Sequence, residues 1–421
     1  MDALVHPNAG RTLRSRERRI SSSALVLGCA VVAVSAGLIV GLPAASASTA
    51  HRAHKHGGAR HPRRRLRHGV VRRSARHATK KSPSGVPPLV FGIYPGGPAG
   101  TVGPSGVVAP EDPEKRLAAL GQLRAPGRPF VLHLYASYSG PGGASAEQQV
   151  GQQVADYGAA GFLTELVLTY RPVDGGSPAD VRGFVSFVRS TVRSLGPDGG
   201  LVSLQVTNEA NVTNAPNASD GYYAGAKDAL IQGVIAGKDE ARRGGFAQVR
   251  VGFNWAYATG PSEQAFWRYL AQQGGAAFVG SLDWVGLDAY PGTWGPSLGS
   301  GDPATSTRQF MRSVLTTLRS KYTPLAGIPR TVPLQICESG YPTGLGRTEA
   351  MQVTVMRASI DAVDQARAAE NVTGYRWFDL RDADSSSSSF EQQYGIMRDD
   401  YSPKMGFSAY HRLIASLSVP H

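Results

Sequence analysis

From Pro87 onward, short apolar runs alternate with segments of helical period, eight times over. The runs are Leu89–Tyr94, Phe130–Tyr135, Thr164–Leu168, Leu201–Val206, Val249–Phe253, Leu282–Leu287, Val332–Ile336 and Gly374–Phe378. They carry little charge and are rich in β-branched and aromatic residues, as strands covered on both faces must be. The helical segments are Glu111–Leu123, Ser145–Tyr157, Pro178–Leu195, Asp220–Arg243, Glu263–Gln273, Thr305–Lys321, Glu349–Ala369 and Lys404–Leu417. In the third, Val181, Phe184, Phe187, Val188, Val192 and Leu195 fall on one face, an apolar stripe that needs a sheet to cover it. Strand followed by helix, eight times with short links, is the pattern of an α/β protein with a closed (β/α)8 TIM barrel over 87–421. An open doubly wound sheet shares the alternation. The loop after the first strand, GIYPGGPAG, lacks the G-x-G-x-x-G that would support it.

The chain ahead of the barrel has a different composition. Residues 1–20 are Arg-rich, 24–42 are uncharged and apolar, and Ala45-Ser46-Ala47 follows. That order reads as a secretory signal peptide over 1–47. A run of this length also suits an uncleaved signal anchor. Residues 48–86 form a basic, His- and Arg-rich segment with little to bury, expected to be a disordered linker. The whole chain carries +13, but residues 1–50 carry +3 and residues 51–82 hold twelve Lys/Arg and no acid, leaving 83–421 at −2. The barrel therefore has no charge to attract nucleic acid. The linker is suited to anionic cell-wall polymers or lipid headgroups, and the expected location is extracellular or in the cell envelope. The two cysteines, Cys29 and Cys337, exclude a disulfide framework. After residue 83 the only histidines are His133, His411 and His421. They are too dispersed for a zinc triad, and neither metal nor cofactor is expected.

A barrel of this kind builds its active site from the C-terminal ends of its strands. Those ends are rich in aromatic, amide and carboxylate residues. Strand four stops in Thr207-Asn208-Glu209 and strand seven in Cys337-Glu338-Ser339. Two carboxylates facing each other across a barrel mouth suit glycoside hydrolysis, one acting as proton donor and the other as nucleophile or base. Trp255, Trp294, Tyr138 and Tyr341 are candidate platforms for pyranose rings. Trp267 and Trp284 are read as core, and Cys337 as a small buried apolar residue.

VTNEAN at 206–211 and QICESG at 335–340 resemble the strand-four Asn-Glu and strand-seven Glu of clan A glycoside hydrolases. These are retaining (β/α)8 enzymes that include cellulases, mannanases, galactanases and xylosidases. The likeness spans about 87–421, including Tyr394-Gly395-Ile396, Lys404 and Tyr410-His411 near the end. It implies Glu209 as general acid/base and Glu338 as nucleophile. It also implies Asn208 on the sugar 2-hydroxyl, Tyr290 on the nucleophile and Trp377 beneath the sugar at the cleavage point. Where many members carry arginine on strand two, this chain has His133 and Tyr135. His133 is placed among the substrate-contacting residues, and Arg171, one strand later, is expected to bring positive charge to Glu338. The expected substrate is a β-linked poly- or oligosaccharide, with internal cleavage favoured by the several rim aromatics. An exo-acting glycosidase and a non-catalytic carbohydrate-binding barrel remain the alternatives.

Overall fold

Eight strands run parallel and close on themselves in sequence order, each neighbour hydrogen-bonded to the next and β8 to β1. They are β1 Val90–Ile93, β2 Phe130–Tyr138, β3 Leu163–Tyr170, β4 Leu201–Val206, β5 Arg250–Ala256, β6 Trp284–Asp288, β7 Leu334–Ser339 and β8 Val372–Trp377. This computed structural model describes residues 89–96, 110–140, 144–216 and 218–417. The expected export segment and basic linker lie outside them. Among the described residues no helix is long and apolar enough to cross a membrane. The TIM-barrel expectation holds.

The helices form the outer layer. They are α1 Pro113–Leu123, α2 Ala144–Ala159, α3 Pro178–Leu195, α4 Ala226–Gly244, α5 Pro261–Tyr269 and α6 Gly275–Val279, then α7 Pro303–Thr317, α8 Thr323–Leu325, α9 Glu349–Glu370 and α10 Met405–Leu417. Their ends follow local chemistry. Ser177 and Asp180 cap α3 reciprocally, with Pro178 in the first turn, satisfying backbone donors that a helix start leaves open. Helix α4 ends on Gly245 and α9 on Asn371, both left-handed. The apolar stripe of α3 is buried as expected, from Val181 to Val192.

One boundary differs. Asp220 was expected to open the fourth helix, but Asp220–Tyr222 is a separate 3-10 turn and α4 starts at Ala226. Left-handed Gly225 interrupts the two. A Cβ at Gly221 would lie 2.6 Å from the Ala210 carbonyl oxygen, so only glycine lets this turn nest against the loop after β4. Asp220 is thereby fully buried under that loop.

The seam between first and last strands is held by α10. Tyr410 donates its hydroxyl hydrogen to the Gly92 carbonyl at 2.5 Å, and its ring packs near Phe91 and Trp377. Gly92 also lets the Arg376 side chain into the barrel, since a Cβ there would come within 2.6 Å of Arg376 Cδ.

Candidate active site

Strand β4 ends in unusual backbone. Thr207 (φ 64°) and Glu209 (φ 49°) are both left-handed, a conformation that L residues, and β-branched ones above all, adopt at a cost. The surroundings fix it. The Thr207 N–H donates to Leu168 O at 2.9 Å, and the Glu209 N–H donates to Asn254 Oδ1 at 2.8 Å. Asp220 Oδ2 accepts from the N–H groups of Tyr170 at 2.7 Å and Asn208 at 2.8 Å. Asp220→Ala removes that clamp from a fully buried position and leaves Arg171 without its carboxylate. We expect a loss of about 3–5 kcal/mol in urea unfolding, with activity falling alongside.

Glu209 is partly exposed and Ser219 donates to its Oε2. Burial, then the charge of Glu338, then that of Asp220 push its carboxyl up to about 8 against the opposing Ser219 bond and Arg171 charge. It therefore keeps its proton at neutral pH. Glu338, on β7, accepts from two phenols: Tyr290 at 2.6 Å on Oε2 and Tyr135 on Oε1. Burial and the Glu338 charge hold both phenols well above their ordinary range, so they remain donors.

The two glutamates are close. One oxygen each of Glu209, Asp288 and Glu338 lie within 4.8 Å of one another. A bulge between Leu287 and Asp288 brings Asp288 level with Glu338, and bulges commonly re-aim side chains at active sites. Burial, then the charges of Glu338 and Glu209, raise Asp288 well above its ordinary value against the Asn254 bond. The trio is close enough to ligate a cation. Glu209 holds a proton, however, and would have to give it up to become a ligand, while burial works against the charged form of Asp288.

Asn254 ties the site together. Its amide nitrogen donates to Asn208 Oδ1 at 2.9 Å and to Asp288, while its oxygen takes the Glu209 N–H. Asn208 sends one amide hydrogen to Ala218 O at 3.1 Å. This fixes which way the amide faces.

Several expected contacts are placed elsewhere. Side chains alternate along a strand, and Asn254 and Arg376 point into the barrel. Trp255 and Trp377 must then point outward, and both are completely buried against helices. Trp255 donates to Glu263 at 2.7 Å and packs on Trp267 and Tyr322. Neither can meet a sugar. Phe378, one residue past Trp377, is partly exposed and stacks on Tyr94 with its edge toward Tyr290 and Tyr394. Tyr138 is buried against Tyr170, Phe184 and Phe187, and the guanidinium of Arg347 lies 4.8 Å over the Tyr341 ring. Both are corrected from platforms to packing residues. Trp294 alone of the four is open, 50 % exposed beside Phe390.

His133 is not a substrate contact either. It is 1 % exposed, with Nδ1 3.0 Å from Glu165 and Nε2 3.1 Å from the Tyr135 oxygen. Arg171 turns away from Glu338: it donates to Pro216 O and Ala218 O and pairs with Asp220 at 3.5 Å. Trp267, Trp284 and Cys337 are buried, as read from the sequence. Asp288, Asn254, Asp220 and Glu165 had no assigned role. Strand parity could have flagged all but Asp220, whose partners lie in another loop.

No family model matches the chain, and no curated protein matches it in sequence. Solved structures do. A β-glucosidase from Thermotoga maritima bound to castanospermine superposes with TM-score 0.55 at 12% identity, over 81% of this chain and 99% of that one. The same enzyme bound to a calystegine derivative gives 0.56 at 12% identity, over 81% and 100%. With deoxynojirimycin the values are 0.52 and 12%, over 73% and 86%. What is shared is the fold. The likeness to clan A barrels read from the sequence stands at that level, with Glu209 just past β4 and Glu338 within β7.

Proposed function

We propose that this chain is a retaining β-glycosidase, with Glu209 as acid/base and Glu338 as nucleophile. The observation that carries the reading is the approach of one carboxyl oxygen of Glu209 to one of Glu338 within 4.8 Å, which favours the shorter of two carboxyl separations. Retention needs carboxyl groups roughly 5–5.5 Å apart, whereas inversion needs about 6.5–9.5 Å to admit a water. The contrast between the two carboxyls supports it further: Glu209 bears a proton at neutral pH, while Glu338 accepts from the phenols of Tyr290 and Tyr135. Glu209 protonates the departing oxygen while Glu338 attacks the anomeric carbon. Once Glu338 is esterified its charge is gone, the chief electrostatic pressure on Glu209 falls, and Glu209 becomes the base for the incoming water. The second amide hydrogen of Asn208 faces the sugar 2-hydroxyl in this reading, and Phe378 takes the floor position first given to Trp377.

The substrate class is a β-linked oligo- or polysaccharide. The exposed Trp294, beside the half-buried Phe390, supports a sugar-binding position beyond the cleavage point, and with it internal cleavage. An N-terminal export signal and a basic linker suit action outside the cell or in its envelope, near anionic polymers or headgroups.

The test is a panel of β-linked glycans and aryl β-glycosides, with the anomer of the first product read by proton NMR. The β-anomer is expected. An α-anomer would replace retention by inversion, and binding without turnover on the whole panel would leave a carbohydrate-binding barrel.

A further inference from the structure

Beneath the nucleophile a row of polar side chains crosses the barrel interior. Arg376 of β8 pairs with Glu165 of β3 at 3.2 Å, Glu165 meets His133 of β2 at 3.0 Å, His133 meets Tyr135 at 3.1 Å, and Tyr135 donates to Glu338 of β7. Counting hydrogens along this row fixes more than its geometry. A phenol has one hydrogen to give, a carboxylate has none, and a neutral imidazole has one.

If His133 carries its hydrogen only on Nδ1, toward Glu165, then Nε2 needs a donor. Tyr135 is the group within reach, and turning its hydrogen there takes it from Glu338. If the hydrogen is only on Nε2, an imidazole lone pair faces the Glu165 carboxylate across 3.0 Å with no proton between them. Glu165 does not supply one: burial works against its charge, but Arg376 and the His133 contact outweigh burial and hold the carboxyl at about 2. With Glu338 ionised, as a nucleophile must be, both neutral forms therefore break a contact that the structure makes.

We propose that His133 is an imidazolium that donates to Glu165 from Nδ1 and to the Tyr135 oxygen from Nε2, committing the single Tyr135 hydrogen to Glu338. The row then holds two cations, Arg376 and His133, against two anions, Glu165 and Glu338, a balance that buried charges require. His133 is a positioning residue in this scheme. It supplies, through Tyr135, the positive charge that Arg171 is too far turned away to give. The groups facing it are Glu165 and, through it, Arg376, together with Tyr135 and, through it, Glu338. Gln335 of β7 lies 3.4 Å from Arg376 in the same layer.

The inference rests on Glu338 as nucleophile, yet the proton on His133 is visible without turnover. In the full chain labelled with 15N-histidine, long-range proton–nitrogen spectra at about pH 7 distinguish an imidazolium, with both nitrogens protonated, from a neutral ring. Tyr135→Phe identifies the His133 signals by shifting Nε2. Both nitrogens protonated is the expected result, and a His133 signal with one bare nitrogen overturns the proposal. In kinetics, Tyr135→Phe should lower kcat about 10- to 100-fold with KM little changed. His133→Gln, which keeps an uncharged donor toward Tyr135, should lie between wild type and Tyr135→Phe. The double variant should be no worse than Tyr135→Phe alone, because both act through one hydrogen bond. Additive losses would overturn the proposal. A chain that turns over no β-glycoside would sink the nucleophile reading, and the nitrogen spectrum would still decide the proton.

Discussion

Glu338→Gly is expected to lower kcat on an aryl β-glycoside by roughly 10⁴- to 10⁶-fold, and azide to restore turnover with an α-glycosyl azide as product. Removing the carboxylate leaves a space between two phenol donors, Tyr290 and Tyr135, into which a small anion fits. Azide then attacks from the face Glu338 occupied, and with no second displacement the configuration stays inverted. The same variant carries a second signature. Glu338 is the largest charge acting to raise Glu209 after burial itself, so its loss should move the basic limb of the azide-rescued reaction to lower pH. A β-configured azide product would assign the nucleophile to another residue. Undiminished activity would do the same.

The second large effect belongs to Glu209. Its carboxyl sits at about 8 and must carry a proton to assist leaving-group departure. The productive form is therefore full at low pH and lost as pH rises through about 8. Above that point kcat/KM should fall about tenfold per pH unit. In Glu209→Ala the limb should vanish. Turnover should drop about 10²- to 10⁴-fold on substrates with poor leaving groups, and less on an activated aryl glycoside that departs unaided. Azide should speed the variant by attacking the glycosyl-enzyme, this time giving the β-azide. A limb near 8 that survives the substitution would place the acid elsewhere, with Asp288 the next carboxyl to replace.

Much of this was legible in the sequence because the barrel's signals are local. Apolar runs mark strands whatever their partners, and a carboxylate at the end of a buried run has few places to go but the rim. Glu209 and Glu338 are visible on that basis. The aromatic assignments failed where a strand's two faces were not kept apart. Trp255 and Trp377 sit beside the inward residues Asn254 and Arg376, and alternation sends them to the helices. Tyr138 and Tyr341 lost their open faces to packing from α3 and from the loop after β7, contacts that no spacing in the chain encodes. Asp220 had helix-start chemistry, and only a long-range view shows it holding two backbone N–H groups from β3 and the β4 loop. The raised carboxyls of Glu209 and Asp288 are likewise collective, set by burial among carboxyls brought together from β4, β6 and β7.

The Tyr410 bond to Gly92 has a consequence for how the chain is made. Pairing of β1 with β8, and the helix that clasps them, join residues 90–93 to 372–377 and 405–417. Until the ribosome has released β8, β1 has only one of its two neighbours and exposes a row of unpaired backbone groups, a template for strands of other molecules. Loss of residues 372–417, which takes β8 away together with α10, would keep that exposure permanent. Shortened chains should therefore collect in aggregates rather than as weakly active monomers.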